Sequence, residues 1–391
     1  MFKILTAALG LSISFGLSAC VPEPTTPETA TSETAAPETT MPVSWISKFD
    51  QKMQLEQAGS KIPGMAVALV KDSSTVFSKG YGLRDVENNL SVDENTLFHI
   101  ASTHKSMNAM LIATLVDDEV VAWDNPVTEY YPSFELGSAA STNSVTLSHL
   151  LSMSSGIPGT AEDLLTDDPT TDDVFLAAKQ ATLLGAPSTQ FSYSNISASI
   201  AGYVGVIASV GSDQALFANY SNLLKSKVLE PIGMSNSTIY ASVAQHSGNL
   251  SKTYSVATSG DITFVASSDE DGDVLAPSGA LKSNVKDMAL YLSTQLNQGV
   301  APNNNRVVSA ANLQKTKQPI LDDYAMGWEQ VTYNNTLVIM HTGGYDGFVS
   351  VLVLIPSYDI GLVLLVNSES GEELTENAHE MLVDILQDIE D

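Results

Sequence analysis

Blocks of apolar and polar positions predict strands near both ends of the chain and helices between them. Two short apolar runs, 65–70 and 75–80, flank a Lys-Asp-Ser-Ser turn and predict a β-hairpin. Three further strands are predicted late in the chain, at 337–341, 348–355 and 360–366. Together these segments predict one antiparallel sheet whose edge strands come from opposite termini.

Apolar residues at helical spacing predict three helices outside these strands. They cover 44–57, the stretch from Ser102 to Val121, and 372–389. The chain between about 120 and 285 is mostly helical and loop-like, with clusters of turn residues.

The predicted fold class is α/β of the α+β type, an antiparallel sheet flanked by helices with a mostly helical insertion. The sheet is expected from about 44–100 and 286–391, and the helical region from about 101–285. A chain of 391 residues, 43% of them apolar, suits one large domain or two intertwined ones. We therefore expect one domain over 44–391.

The N-terminus predicts export and a lipid anchor. Residues 1–19 carry Lys3, an apolar run and then small residues, which is typical of a signal peptide and short for a membrane span. The end of this segment, Leu17-Ser18-Ala19-Cys20, resembles a bacterial lipobox. That resemblance implies that Cys20 is acylated and becomes the mature N-terminus. An ordinary signal peptide with an incidental thiol is the alternative.

Residues 20–43 are predicted to be a linker behind that anchor. They consist almost entirely of Pro, Glu, Thr and Ala, which bury too little surface to offset the entropy of ordering. We expect secretion across the inner membrane and lipid anchoring in the cell envelope. Because Val21 rather than Asp follows Cys20, resemblance to Gram-negative sorting implies the outer membrane, facing the periplasm.

The net charge of −28 narrows the range of partners. The chain has 45 acidic residues against 17 lysines and arginines, so its surface repels phosphate backbones and nucleic acid is a poor partner. A small-molecule or peptidyl substrate is expected instead, and the oligomeric state is not predicted. The sequence has no HExxH motif and no close pair of histidines, so we expect no cofactor and no metal.

The first candidate motif is Ser102 followed by Lys105. If Ser102 opens a helix, Lys105 lies on the same helix face one turn later. A neighbouring amine with a lowered pKa can take the proton of a serine hydroxyl, and a helix N-terminus favours the resulting negative charge. The plain alternative is a helix cap followed by a surface lysine.

The second candidate motif is Tyr193 with Asn195. Two residues apart in an extended or looped segment, their side chains can point the same way. A tyrosine serves as a general acid or base if a nearby cation lowers its pKa, and an asparagine offers a donor and an acceptor to an amide. A buried tyrosine beside a turn asparagine is the alternative.

The third candidate motif follows a predicted strand and contains paired glycines. Glycines let another backbone approach closely, so an extended substrate could hydrogen-bond along this edge. The alternative is a glycine-rich hairpin turn. The residues of this motif are His341, Thr342, Gly343 and Gly344.

In this order and with these gaps, the three motifs resemble the serine β-lactamase and DD-peptidase superfamily, in its class C-like branch. The resemblance covers about 44–391 and is supported by the stretches 277–281 and 326–328. It implies that Ser102 is the nucleophile, that Lys105 is its proton partner and that Tyr193 carries the proton to the leaving group.

The same resemblance implies the substrate-binding groups. Asn195 would hold the substrate amide, and the backbone N–H groups of Ser102 and Gly344 would form the oxyanion hole. His341, Thr342 and Gly343 would line the edge strand. Class C β-lactamases usually carry lysine at the position of His341. With an ordinary pKa of about 6.5, this histidine would be charged only in mild acid, so we expect anionic substrates to be handled better there.

The resemblance leaves several functions open. A DD-carboxypeptidase-like peptidase and a carboxylesterase are equally favoured, both acting on amide or ester bonds through an acyl-enzyme. A class C-like β-lactamase is the next alternative. A non-catalytic lipoprotein that binds peptidoglycan or penicillin is the alternative from another class, although proton-transfer residues that a retired site tends to lose are present.

The lipid anchor leads to a direct prediction. Cys20→Ser removes the only thiol of the chain and therefore its only candidate lipid attachment of this kind. We expect the variant to move from the membrane fraction to the soluble fraction after cell lysis and ultracentrifugation. Continued sedimentation with the membranes would contradict anchoring at Cys20.

Overall fold

The computed structural model of the protein describes residues 43–390. The predicted signal peptide, Cys20 and all but the last residue of the predicted linker lie outside the described residues. Among the described helices, none combines the length and apolar character needed to cross a membrane.

The central feature is a seven-stranded antiparallel sheet with the order β3-β2-β1-β11-β10-β9-β8. Two small two-stranded sheets, β4–β7 and β5–β6, accompany it. The strands are β1 (Gly64–Lys71), β2 (Ser74–Asp85), β3 (Leu90–Ser91), β4 (Phe98–His99), β5 (Thr253–Val256), β6 (Ile262–Val265), β7 (Lys282–Ser283), β8 (Glu329–Tyr333), β9 (Thr336–Tyr345), β10 (Phe348–Ile355) and β11 (Ile360–Val366).

Most helices lie between β4 and β8 in the chain. The helices are α1 (Val43–Gly59), α2 (His104–Asp117), α3 (Ala139–Thr142), α4 (Leu147–Leu151), α5 (Thr171–Gln180), α6 (Asn195–Val210), α7 (Leu216–Leu224), α8 (Glu230–Ile232), α9 (Ala241–His246), α10 (Ala276–Gly279), α11 (Val285–Leu296), α12 (Ala310–Thr316) and α13 (Glu372–Glu390). A short π-helical segment (Lys225–Leu229) continues α7, and 3-10 turns at Ala101–Thr103 and Gly159–Leu164 matter for the site below.

The middle strands of the sheet explain why it lies at the centre of the domain. Every residue of β10 and β11 is buried, and both strands are almost continuously apolar, which requires cover on both faces. Helix α11 packs on β1 and β11, while α13 packs on β9 and β10 and also contacts α1.

The predicted fold class is confirmed, including edge strands from opposite ends of the chain. β3 comes from the N-terminal part of the sheet and β8 from the C-terminal part. β8 and the β5–β6 hairpin were not predicted, because both are short and partly exposed and lack a strong apolar alternation. The helix predicted to reach Val121 ends at Asp117, and Glu119 takes a positive φ of 58° just beyond it.

The chain enters α2 through a tight turn that is tied to the sheet. Ala101, a residue with a side chain, adopts a φ of 47°, and its N–H donates to His99 Nδ1 over 3.1 Å. The preceding carbonyl, of Ile100, accepts from Ser350 Oγ of β10 at 2.7 Å and from Thr103 Oγ1 at 2.6 Å. These bonds hold the 3-10 turn Ala101–Thr103 against β9 and β10 and so support its unfavourable backbone conformation.

Two adjacent glycines of β9 test this packing. A Cβ on Gly343 would lie 2.7 Å from Ser350 Oγ and 2.8 Å from Ser102 N and Ile100 O, whereas a Cβ on Gly344 would have no atom within 4 Å. We expect Gly343→Ala to lower the free energy of unfolding by about 1–3 kcal/mol, the usual range for overpacking. Gly344→Ala is the matched control and should leave stability nearly unchanged in urea denaturation. Equal stability of the two variants would contradict the close approach.

Candidate active site

Ser102 and Lys105 meet as their spacing predicted. Ser102 lies on the 3-10 turn that leads into α2, and Lys105 lies in the first turn of α2. The distance from Lys105 Nζ to Ser102 Oγ is 3.0 Å, which is a hydrogen bond. Only 1% of Lys105 is exposed, so the alternative of a surface lysine is wrong.

Two further oxygen atoms bind the Lys105 amine. Asn195 Oδ1, at the start of α6, accepts from Nζ at 2.6 Å, and the Ser278 carbonyl oxygen of α10 accepts at 2.9 Å. An amide or carbonyl oxygen can only accept hydrogen bonds. In the neutral state the two protons of the amine are therefore used on these two oxygens, and the lone pair is left for the Ser102 hydroxyl.

Burial also sets the protonation state of Lys105. Loss of hydration lowers the pKa of Lys105 to about 7, and the negative charge of Glu162 acts in the opposite direction. Gly327 closes the packing behind this helix turn, because a Cβ there would lie 2.5 Å from the Lys105 carbonyl carbon. A substantial fraction of the lysine is thus neutral near pH 7 and able to accept a proton.

Tyr193 lies on the same side of the site. Its ring centroid is 4.8 Å from Lys105 Nζ, and its hydroxyl is within hydrogen-bonding reach of Ser102. Burial raises the pKa of Tyr193 well above its ordinary value near 10. The lowered pKa that a tyrosine base would need is therefore not met in the free protein, and Tyr193 is a neutral phenol that can donate a proton.

His341 is buried beside this tyrosine. Its Nδ1–H donates to the Thr342 carbonyl oxygen at 2.5 Å, and its Nε2 accepts from the Tyr324 hydroxyl at 2.9 Å, as a neutral imidazole does. Burial and the nearby charge of Lys105 lower the pKa of His341 to about 3. The expectation that His341 becomes charged in mild acid is therefore wrong, because it assumed a solvent-exposed ring.

The rest of the third motif forms an open strand edge. β8 pairs with β9 only as far as Met340, so among the described strands none covers that side of 341–345. Thr342 and Gly344 are exposed on that side. Gly343, between them, packs against the backbone nitrogen of Ser102. The arrangement brings Gly344 and Ser102 to one cleft, while their oxyanion-hole role remains a prediction.

The cleft at Ser102 has a volume of about 440 Å³. Among the described residues that line it there is no lysine or arginine. Within the described chain, no group of histidine, cysteine, aspartate or glutamate side chains is arranged to hold a metal ion. Six carboxylates face the cleft: Glu162, Asp167, Asp168, Glu270, Asp271 and Asp273.

Four residues of the site were missed by sequence reasoning. Ser278 and Gly327 lie inside the stretches 277–281 and 326–328, which support the family resemblance. The sequence therefore indicated these segments, but it did not indicate that they contact Lys105. Glu162 and Tyr324 lie in no motif. Glu162 lies within hydrogen-bonding reach of the backbone N–H and the side-chain amide of Asn195, a contact that depends on tertiary packing.

The chain is similar to known proteins over most of its length. A family model described as Beta-lactamase matches residues 49–384. Protein flp of Staphylococcus aureus (strain N315) is 26% identical over 342 residues, which cover 86% of this chain and 66% of that protein. Unguisins hydrolase ungD of Aspergillus violaceofuscus (strain CBS 115571) is 27% identical over 340 residues, which cover 79% of this chain and 59% of that protein. The match thus spans somewhat less than two thirds of these relatives.

A solved structure with the same fold is the octameric penicillin-binding protein homologue from Pyrococcus abyssi. The TM-score is 0.72 at 23% sequence identity, and the match covers 87% of this chain and 77% of that chain. At this identity the similarity concerns the fold.

The lowered pKa of Lys105 predicts the pH dependence of hydrolysis. If neutral Lys105 is the base, kcat/KM for an uncharged ester should rise about tenfold per pH unit below pH 7 and level off above it. The measurement is a pH–rate profile with a p-nitrophenyl ester. His341→Gln is the control, since a ring neutral above about pH 3 should not set the midpoint, whatever it does to the rate. A midpoint that moves in this variant would assign the profile to His341 instead.

Proposed function

Because the chain belongs to the Beta-lactamase family and is a serine hydrolase, we propose that Ser102 is its nucleophile and that it cleaves ester or amide bonds through an acyl-enzyme. Lys105 takes the Ser102 proton as the oxygen attacks the carbonyl carbon. The backbone N–H groups of Ser102 and Gly344 bind the developing oxyanion. Tyr193 donates its proton to the leaving group and regains one from the Lys105 ammonium, which returns Lys105 to the neutral form. Water then loses a proton to Lys105 and attacks the acyl carbon, the bond to Ser102 Oγ breaks, and Oγ takes that proton back.

One observation carries this proposal. The Lys105 amine is buried, has a lowered pKa and lies 3.0 Å from Ser102 Oγ, with its other two hydrogen bonds made to oxygens that only accept. A serine hydroxyl near neutral pH needs such a base to become a nucleophile. Retention of this arrangement, together with Tyr193, argues against a retired site that only binds peptidoglycan or penicillin.

The charges of the cleft favour one substrate class. A β-lactam or a peptidyl-D-alanine carries a carboxylate beside the scissile bond. In this cleft that carboxylate would meet six carboxylates, and the described lining residues include no lysine or arginine. His341, buried beside the site, is neutral and supplies no positive charge. We therefore favour a carboxylesterase, or an amidase for substrates without that carboxylate, over a DD-carboxypeptidase or a class C-like β-lactamase.

The name of one relative is consistent with this proposal, because unguisins hydrolase is called a hydrolase. The cellular setting of the proposal rests on sequence alone. The lipobox-like end of the signal peptide and the extended linker support export and a lipid anchor at Cys20 in the cell envelope, with the outer membrane facing the periplasm as the proposed site.

The proposal predicts both a substrate preference and its dependence on Ser102. We expect kcat/KM for p-nitrophenyl butyrate to exceed that for a chromogenic cephalosporin at pH 7.5, because only the cephalosporin carries a carboxylate into the acidic cleft. Ser102→Ala should abolish both activities and covalent labelling by a fluorophosphonate probe, measured by absorbance and by intact-protein mass.

Ser268→Ala is the matched control, since Ser268 is an exposed serine of the same cleft that makes no contact with Lys105. It should keep the label. Hydrolysis by Ser102→Ala would contradict the mechanism. A preference for the cephalosporin would leave the mechanism intact and contradict the substrate class.

A further inference from the structure

Glu162 lies beside Asn195, and Asn195 in turn binds Lys105, the proposed base. It belongs to the 3-10 turn Gly159–Leu164, which packs against α6, and its partly buried side chain lines the cleft. Its carboxylate lies within hydrogen-bonding reach of both the backbone N–H and the side-chain amide of Asn195, the first residue of α6. On its other side, the same amide accepts from Lys105 at 2.6 Å.

We propose that Glu162 is a positioning residue that holds the Asn195 amide with its oxygen toward Lys105, so that the lone pair of the Lys105 amine remains directed at Ser102. The proposal rests on the proposed function, in which Lys105 is the base. In this proposal Glu162 does not contact the reacting atoms.

The side-chain amide of Asn195 has two chemically different ends. Asn195 can offer either Oδ1, an acceptor, or Nδ2, a donor, to Lys105, and a rotation of 180° about its last bond exchanges them. A carboxylate only accepts, so Glu162 binds the Nδ2 end and leaves Oδ1 for Lys105. Without Glu162, Nδ2 could turn toward the neutral amine and donate to its lone pair.

Such a rotation would remove the base from the reaction. Neutral Lys105 has two N–H bonds and one lone pair. With Asn195 Oδ1 and the Ser278 carbonyl oxygen as acceptors, the two N–H bonds are engaged and the lone pair faces Ser102. In the transfer, the Ser102 O–H bond breaks, its proton forms the third N–H bond of Lys105, and the electron pair stays on Ser102 Oγ. A lone pair occupied by Asn195 Nδ2 could not accept that proton.

The surrounding charges make the effect of Glu162 measurable. His104 and His341, which face Lys105, are both buried, and the pKa of each is lowered to about 3, so they are neutral during turnover. Tyr193 is neutral as well, because burial raises its pKa. Glu162 is the carboxylate whose charge acts on Lys105, and it raises the pKa of that amine against the effect of burial.

Two substitutions separate the orientation of the amide from charge. Glu162→Gln removes the charge but keeps an acceptor oxygen, which the fixed backbone N–H of Asn195 holds in place beside Nδ2. Glu162→Leu is similar in size and removes both the charge and the acceptor. Asp163→Asn is the matched control, because Asp163 is an exposed carboxylate next in the chain that lies outside the cleft lining.

The experiment measures kcat and the pH–rate profile of all four proteins with p-nitrophenyl butyrate. In both Glu162 variants we expect the midpoint of the acid limb to move to lower pH, by about 0.5–1 unit, since loss of a nearby negative charge disfavours the ammonium. The plateau kcat should fall about tenfold or more in Glu162→Leu and be restored to within about threefold of wild type in Glu162→Gln. Asp163→Asn should change neither quantity.

A structural role alone would give a different pattern. If Glu162 only stabilised the start of α6, the variants would lose thermal stability while the midpoint stayed in place, and that result would overturn the proposal. A folded Glu162→Leu with wild-type kcat would also overturn it. Fluorophosphonate labelling of wild type is measured in parallel: absence of the label at Ser102 would overturn the proposed function and this inference together, whereas labelling with unmoved Glu162 profiles would overturn this inference only.

Discussion

Burial of one lysine amine is the constraint on which the rest of the site depends. An ammonium that loses its hydration becomes a stronger acid, so its pKa falls toward neutrality, but a buried polar group without partners is costly. Lys105 resolves this conflict with three hydrogen-bond partners, which come from the 3-10 turn before α2, from α6 and from α10. The helical region therefore contributes to the chemistry as well as to the walls of the cleft, because two of its helices supply the atoms that direct the amine at Ser102.

The sheet imposes the complementary constraint from the other side. The turn that carries Ser102 is held by Ser350 of β10 and by a glycine of β9 that leaves room for backbone contact. Packing among the helices fixes the position of Lys105, and packing against the sheet fixes the position of Ser102. The distance between the two side chains therefore depends on how the helices and the sheet pack together. Ala101 can keep its strained backbone conformation at this junction because its own N–H and the preceding carbonyl, of Ile100, are both hydrogen-bonded.

Sequence reasoning predicted the sheet and the Ser102–Lys105 pair because both follow from short-range spacing. Alternating or continuous apolar runs identified most long strands. The three-residue gap placed Ser102 and Lys105 on one helix face, and the resemblance of the three motifs to one family singled them out. The protonation states of His341 and Tyr193 could not be predicted, since each depends on burial by segments distant in the chain. Glu162 and Tyr324 were missed for the same reason: their partners, Asn195 and His341, are met only through tertiary packing.

The pairing of β1 with β11 constrains the order in which the domain can fold. Met65 is the partner of Val366, so a central pair of the sheet joins segments from the two ends of the described domain. Contacts of such long sequence separation form slowly, because a large loop must close before they contribute. A chain still emerging from a ribosome cannot complete this sheet, and neither β9 nor β10 is yet present to hold the Ser102 turn. The hydrolytic site therefore assembles late, only after the C-terminal strands have been made.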